Sequence, residues 1–252
     1  MEKTYENTGN EVKIMSFSEL VSELHMNDRI FAVTRVRSEV YSRCEGDCVM
    51  RSIPALLRGE EKIFAPETNG CRGYKSNSGF SADPPAIPGG AEYFLSYGRG
   101  EGFPEGERLK KTPEIAKEYF DSYPRQTVLP GNAYWVTPYT EGCEAEVVWM
   151  FATPDQLSAL IMLYTFRTSD SSEEFLLSFA SGCGSLFAQP FSQLTAAHPR
   201  AVLGCTDLAS RPYFDKNLLS LSVTHGRFLE MLEDTPECFF HGAFWKKLRG
   251  RL

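Results

Sequence analysis

EVVWMFATPDQLSALIMLYTF, residues 146–166, contains the strand-to-helix step from which the fold is read. Residues 146–151 are short and rich in β-formers, as an interior strand should be. Thr153, Pro154 and Asp155 then mark a helix start. The threonine hydroxyl can accept a bond from an orphan N–H, proline fits the first helical position, and the acid suits the positive end. Gln156 completes a capping box with Thr153. Leu157, Leu160, Ile161 and Tyr164 recur at helical spacing, so the helix spans 154–166 with a buried face.

The same signals recur outward from this unit. Thr112-Pro113-Glu114 and Thr235-Pro236-Glu237 are read as two further helix starts, and Ser16 with Glu19 as a capping box for a helix reaching about Leu24, followed by the strand RIFAVTRV. FLLSFA (175–180) precedes a turn and the segment SLFAQPFSQL, and LLSLSV (218–223) precedes THGRFLEMLED (224–234). Strands alternating with helices follow as an expectation, without sequence identity between the units. Between Ala65 and Arg108 the chain is Gly- and Pro-rich, with only AEYFLSY (91–97) reading as a strand. Tyr74, Phe80, Tyr93, Phe94, Tyr97 and Phe103 are too many aromatics for a plain linker. The segment is read as an ordered loop packed over a cleft, within a single domain covering 1–252.

Composition narrows the function classes. Hydrophobic residues at 42% and charged residues at 23% are ordinary for a folded globule, and no apolar run approaches the roughly 20 residues of a membrane span. A net charge of −7 argues against nonspecific nucleic-acid binding; the basic WKKLRGRL at the C-terminus is read as cations in a last helical turn. MEKTYENTGNEVKIMSF lacks the apolar core of a secretory signal, so a cytoplasmic location is expected, with reduced thiols.

Those thiols carry most of the chemistry. Cys183 stands between Gly182 and Gly184, where the glycines ease approach and a nearby helix N-terminus would favour thiolate; tight packing explains the same pattern. Cys48 opens a helix that Asp47 can cap and Gly59 can end, with Pro54 inside it. Cys71 lies in NGCRGY and Cys205 directly after the strand RAVLG. Cys143 and Cys238 have weaker claims. Thiolates suit zinc and iron–sulfur clusters, yet the four candidates are 23, 112 and 22 residues apart and form no Cys-x-x-Cys pair. His225 is held in reserve as a base for Cys183. YGRGEGF is not a dinucleotide loop, because Phe103 occupies the third glycine's place.

The order CVMRSIPALLRGEE, NGCRGY, VVWMFATPDQLSALIMLYTF, SGCGSLF and LGCTDLASR resembles the uncharacterised ArCR family, domain of unknown function 169, over about residues 44–233. The resemblance implies that Cys48, Cys71, Cys183, Cys205 and Arg211 occupy the family's characteristic positions, with Cys44 as the alternative to Cys48. It supplies no reaction, and the Gly89–Arg108 loop is more elaborate here than in the general pattern.

The expected fold is α+β: a mixed sheet with helices mainly on one side. Two functions are carried forward. In the first, Cys48, Cys71, Cys183 and Cys205 ligate zinc or an iron–sulfur cluster, with Arg211 near an anionic ligand. In the second, the loop closes over a small-molecule pocket, of a binding module or a cofactor-free enzyme, where Arg72, Arg99 or Arg211 grips a carboxylate or phosphate. A small anionic ligand and a homo-oligomer are the partners left open; nucleic acid and membrane are not expected.

Overall fold

The computed structural model describes residues 13–37, 46–81, 83–85, 87, 89–98, 105–124, 132–169, 173–177 and 181–252. Seven strands make one sheet: β1 (Ile30–Arg37), β2 (Lys62–Phe64), β3 (Asn132–Pro138), β4 (Val147–Ala152), β5 (Phe175–Leu176), β6 (Ala201–Gly204) and β7 (Leu219–Thr224), in the order β2-β3-β1-β4-β7-β6-β5. All pairings are antiparallel except β5 with β6, so the sheet is mixed, as the sequence predicts.

β4 is central, and every one of its residues is buried. The pleat sends alternate side chains to opposite faces. Val148, Met150 and Ala152 join one core cluster with Ile30 and Ala32, while Val147, Trp149 and Phe151 join another with Phe31 and Val33. The first cluster is covered by α1 (Phe17–Glu23), α6 (Pro154–Tyr164), α8 (His225–Glu233) and α9 (Ala243–Arg249). The second carries shorter pieces: α2 (Val49–Leu56), α3 (Tyr74–Asn77) and a helical run of a π-turn (Gly184–Ala188), α7 (Gln189–Ser192) and a 3-10 turn (Gln193–Thr195). Helical segments therefore cover both faces of the sheet.

Local signals mark four of the helix starts. Ser16 and Glu19 form the predicted capping box of α1, and Thr153 and Gln156 that of α6. Thr112 caps α5 (Pro113–Asp121), and Thr224 caps α8. The third Thr-Pro-acid triplet begins no helix. Thr235 instead follows α8, donating its hydroxyl to the Leu232 carbonyl and accepting the Met15 N–H.

Two strands are also corrected. Residues 91–97 contain α4 (Ala91–Leu95), because Ala91 and Leu95, one helical turn apart, pack onto Ala116 and Phe120 of α5. Their aromatic neighbours gave the strand-like composition. The strand expected over 175–180 is only Phe175–Leu176, and 178–180 lie outside the described residues.

Candidate functional site

On the second face, three of the four sequence-predicted thiols line one cavity of about 520 Å³. Cys48, the N-cap residue of α2, Cys71 in the loop before α3, and Cys183 at the start of the π-turn all line it. The long Gly/Pro-rich segment also lines it through Ile87, Phe94 and Leu95, together with Leu109 and with Phe120 of α5.

Cys48 and Cys71 lie near enough to each other for each thiol to shift the titration of the other. The backbone sets up this pair. Gly70 N–H donates to the Gly46 carbonyl at 2.9 Å, and Asn69 donates through Nδ2 to the Asp47 carbonyl at 2.7 Å. Asn69 Oδ1 in turn accepts the Cys71 N–H at 3.0 Å. One side chain thus ties together the two segments that carry the pair.

The two sulfurs titrate as one unit, in which the first proton leaves easily and the second is held. The neighbouring Cys48 thiol brings Cys71 down to about 7 against the opposing effect of burial, with help from the N–H groups of Gly73 and Tyr74. The neighbouring Cys71, then burial, pushes Cys48 well above the ordinary thiol value.

Cys183 behaves differently from its expectation. It is only 6% exposed, and burial pushes its thiol up, outweighing any stabilisation from the helical turn it precedes. Its glycine neighbour has a packing role: a Cβ on Gly182 would come within 2.2 Å of Met50 Sδ and 3.1 Å of Ser210 Cβ. Cys205 is fully buried, does not line the cavity, and is raised to about 12 by burial. Its backbone is left-handed, φ 57°, and is held there in part by the Ser185 hydroxyl accepting its N–H at 3.0 Å.

The four cysteines are neighbours, since Cys183 feels both Cys48 and Cys205, and Cys71 feels Cys183. Among the described residues, however, no group of three or more His, Cys, Asp or Glu is arranged to hold a metal ion. His225 cannot serve Cys183 as base. It meets the Tyr139 hydroxyl at 3.0 Å through Nε2, and Tyr139 belongs to the cluster on the opposite face of the sheet.

Neither Arg211 nor Arg72 lines the cavity. Arg211 donates to the carbonyls of Lys216 and Leu218 and stacks over Phe214, so its guanidinium is spent on its own loop. Arg72 is exposed and does not line the cavity. Arg99, like Cys44, lies outside the described residues. Among the described lining residues the charged groups are Glu107 and Asp207, both acidic. Asp207, buried to 9% exposure, was not singled out in the sequence; it accepts the N–H groups of Ala209 and Ser210 and the Ser210 hydroxyl. The Asp-x-x-Ser spacing of DLAS was the available signal for this turn.

No helix among the described residues is long and apolar enough to cross a membrane. The family model described as uncharacterised ArCR, domain of unknown function 169, matches residues 19–234. No curated protein and no solved structure matches the chain.

Proposed function

The chain belongs to the uncharacterised ArCR family, and from the site described above we propose that it binds a small, largely apolar molecule whose thiophilic end meets Cys71. The observation that carries this reading is the convergence of Cys48, Cys71 and Cys183 on one cavity walled mainly by apolar side chains. A pocket of that size and lining suits a small organic ligand, with a few polar groups to orient it. The acidic lining and the engagement of Arg211 elsewhere favour a neutral or cationic ligand over the anionic one that the sequence suggests.

Paired maleimides test the pocket. N-phenylmaleimide should alkylate Cys71 at least about tenfold faster than N-methylmaleimide in the folded protein, because burying a ring is worth on the order of 1.5–3 kcal/mol. That preference should shrink in urea and in Leu109→Ala. Equal rates in the folded protein would contradict the reading.

A second reading keeps the same thiols as ligands of zinc or an iron–sulfur cluster, and the neighbourhood of Cys48, Cys71, Cys183 and Cys205 favours it. It requires the sulfurs to rearrange, because the described groups do not converge on one ion. Iron, zinc and sulfide analysis on protein purified without oxygen separates the two. Stoichiometric metal lost on cysteine substitution would favour the second reading, and metal-free folded protein the first.

A further inference from the structure

We propose that Cys71 and Cys48 form a thiol–disulfide exchange site, in which Cys71 attacks a small disulfide held in the cavity and Cys48 resolves the product. The inference rests on the pocket reading and specifies the chemistry of its ligand. Three observations carry it.

The first is that both thiols line the same cavity, near enough for each to influence the other. The second is that their segments are strapped side by side by the Gly70-to-Gly46 and Asn69-to-Asp47 bonds, which hold the residues adjoining both cysteines together. The third is that the pair faces a cavity with room for a substituent on the attacked sulfur. Cys183, at 6% exposure, is the less accessible neighbour, and Cys205 is fully enclosed.

The chemistry balances without a further oxidant. The Cys71 thiolate attacks one sulfur of a disulfide R–S–S–R; the Cys71–S–S–R bond forms, the R–S–S–R bond breaks, and R–S⁻ leaves. Cys48 then loses its proton to solvent or to the departing thiolate and attacks Cys71 Sγ. The Cys48–Cys71 bond forms and the second R–S⁻ leaves. The cysteine pair is oxidised by two electrons and the small disulfide is reduced to two thiols. A neutral R group suits the acidic, apolar wall.

The test uses bis(2-hydroxyethyl) disulfide on the reduced full-length protein, followed by mass spectrometry of thiol-blocked peptides. The expected product is a Cys48–Cys71 disulfide with two equivalents of mercaptoethanol released. In Cys48→Ser the mixed disulfide on Cys71 should accumulate at least about tenfold over the parent, and Cys71→Ser should form neither product. Should a serine variant fail to fold, disulfide mapping of the unsubstituted protein still decides the matter. A mixed disulfide that persists on Cys71 in the parent, or a bond from Cys71 to Cys183, would overturn the proposal. If exchange fails while the maleimide preference holds, the pocket reading stands and only the exchange chemistry is lost; if both fail, the pocket reading falls with it.

Discussion

Trp149, at the centre of β4, donates its indole N–H to the Leu186 carbonyl at 2.7 Å. Leu186 sits in the π-turn that follows Cys183, where the wider turn disturbs the regular helical bonding. The indole also packs edge-on against Phe187. The core of the sheet thus anchors the segment that presents Cys183 to the cavity.

Trp149→Phe keeps the aromatic bulk but leaves that buried carbonyl without its donor. A loss of about 1–3 kcal/mol in unfolding free energy is expected. Urea denaturation of the variant beside the parent measures it, and an unchanged midpoint would show that the bond contributes nothing.

Asn69 ties together the segments that carry the thiol pair and does not itself line the cavity. In the parent, alkylation of Cys71 by iodoacetamide should reach half its limiting rate near pH 7, since only thiolate reacts. The rate falls below that pH and levels above it. In Asn69→Ala the two segments lose their shared tie, so the half-maximal pH should move up towards the ordinary thiol value. A profile that does not move would assign the lowered pKa to the Cys71 loop alone.

Stability should fall at high pH. Burial raises Cys205 to about 12, and Tyr139 and Tyr164 likewise to about 12. A group whose pKa is higher folded than unfolded contributes stability that is complete below its unfolded value and is lost as pH rises through the folded one. The expected loss therefore begins at about pH 9, the ordinary thiol value, and extends to about 12. Lowered Cys71 acts in the opposite sense between about 7 and 9, so it offsets none of the decline above that window. Urea midpoints at pH 8, 10 and 11 measure the effect, and Cys205→Ala should reduce its slope.

Arg211→Ala tests how the resembling family's arginine is used here. Its bonds to the Lys216 and Leu218 carbonyls brace the loop before β7, so the variant should lower thermal stability. Cys71 alkylation rates should stay within about twofold of the parent. A selective loss of pocket reactivity at unchanged stability would return Arg211 to the ligand.

The parts of the fold legible in the sequence are those set by neighbours. Thr153 with Gln156, Ser16 with Glu19, and the apolar run of β4 each act within a few residues, and each stands where expected. Thr235-Pro236-Glu237 carries the same local signal, yet no helix follows it, because Thr235 bonds Leu232 and Met15 instead. Residues 91–95 became helical through packing on α5, a contact that composition alone does not reveal. The candidate cysteines were legible as residues in turns and at element ends, but their meeting was not. Cys48 and Cys71 are joined through Asn69, and Cys183 reaches them across the sheet face, which depends on how β4 and the helical run after it are stacked. The preference for an anion-gripping arginine failed for a similar reason: the carbonyls that occupy Arg211 come from a loop whose shape the sequence does not disclose.

Cys48 and Cys71 as one thiol pair at the cavity wall should be bridged by dibromobimane, a reagent that becomes fluorescent only when it links two thiols. Rapid fluorescence is expected in the native protein, with the Cys48 and Cys71 peptides linked and the buried Cys205 unmodified until urea is added. Singly labelled cysteines without a bridge, or a bridge that forms only after unfolding, would contradict it.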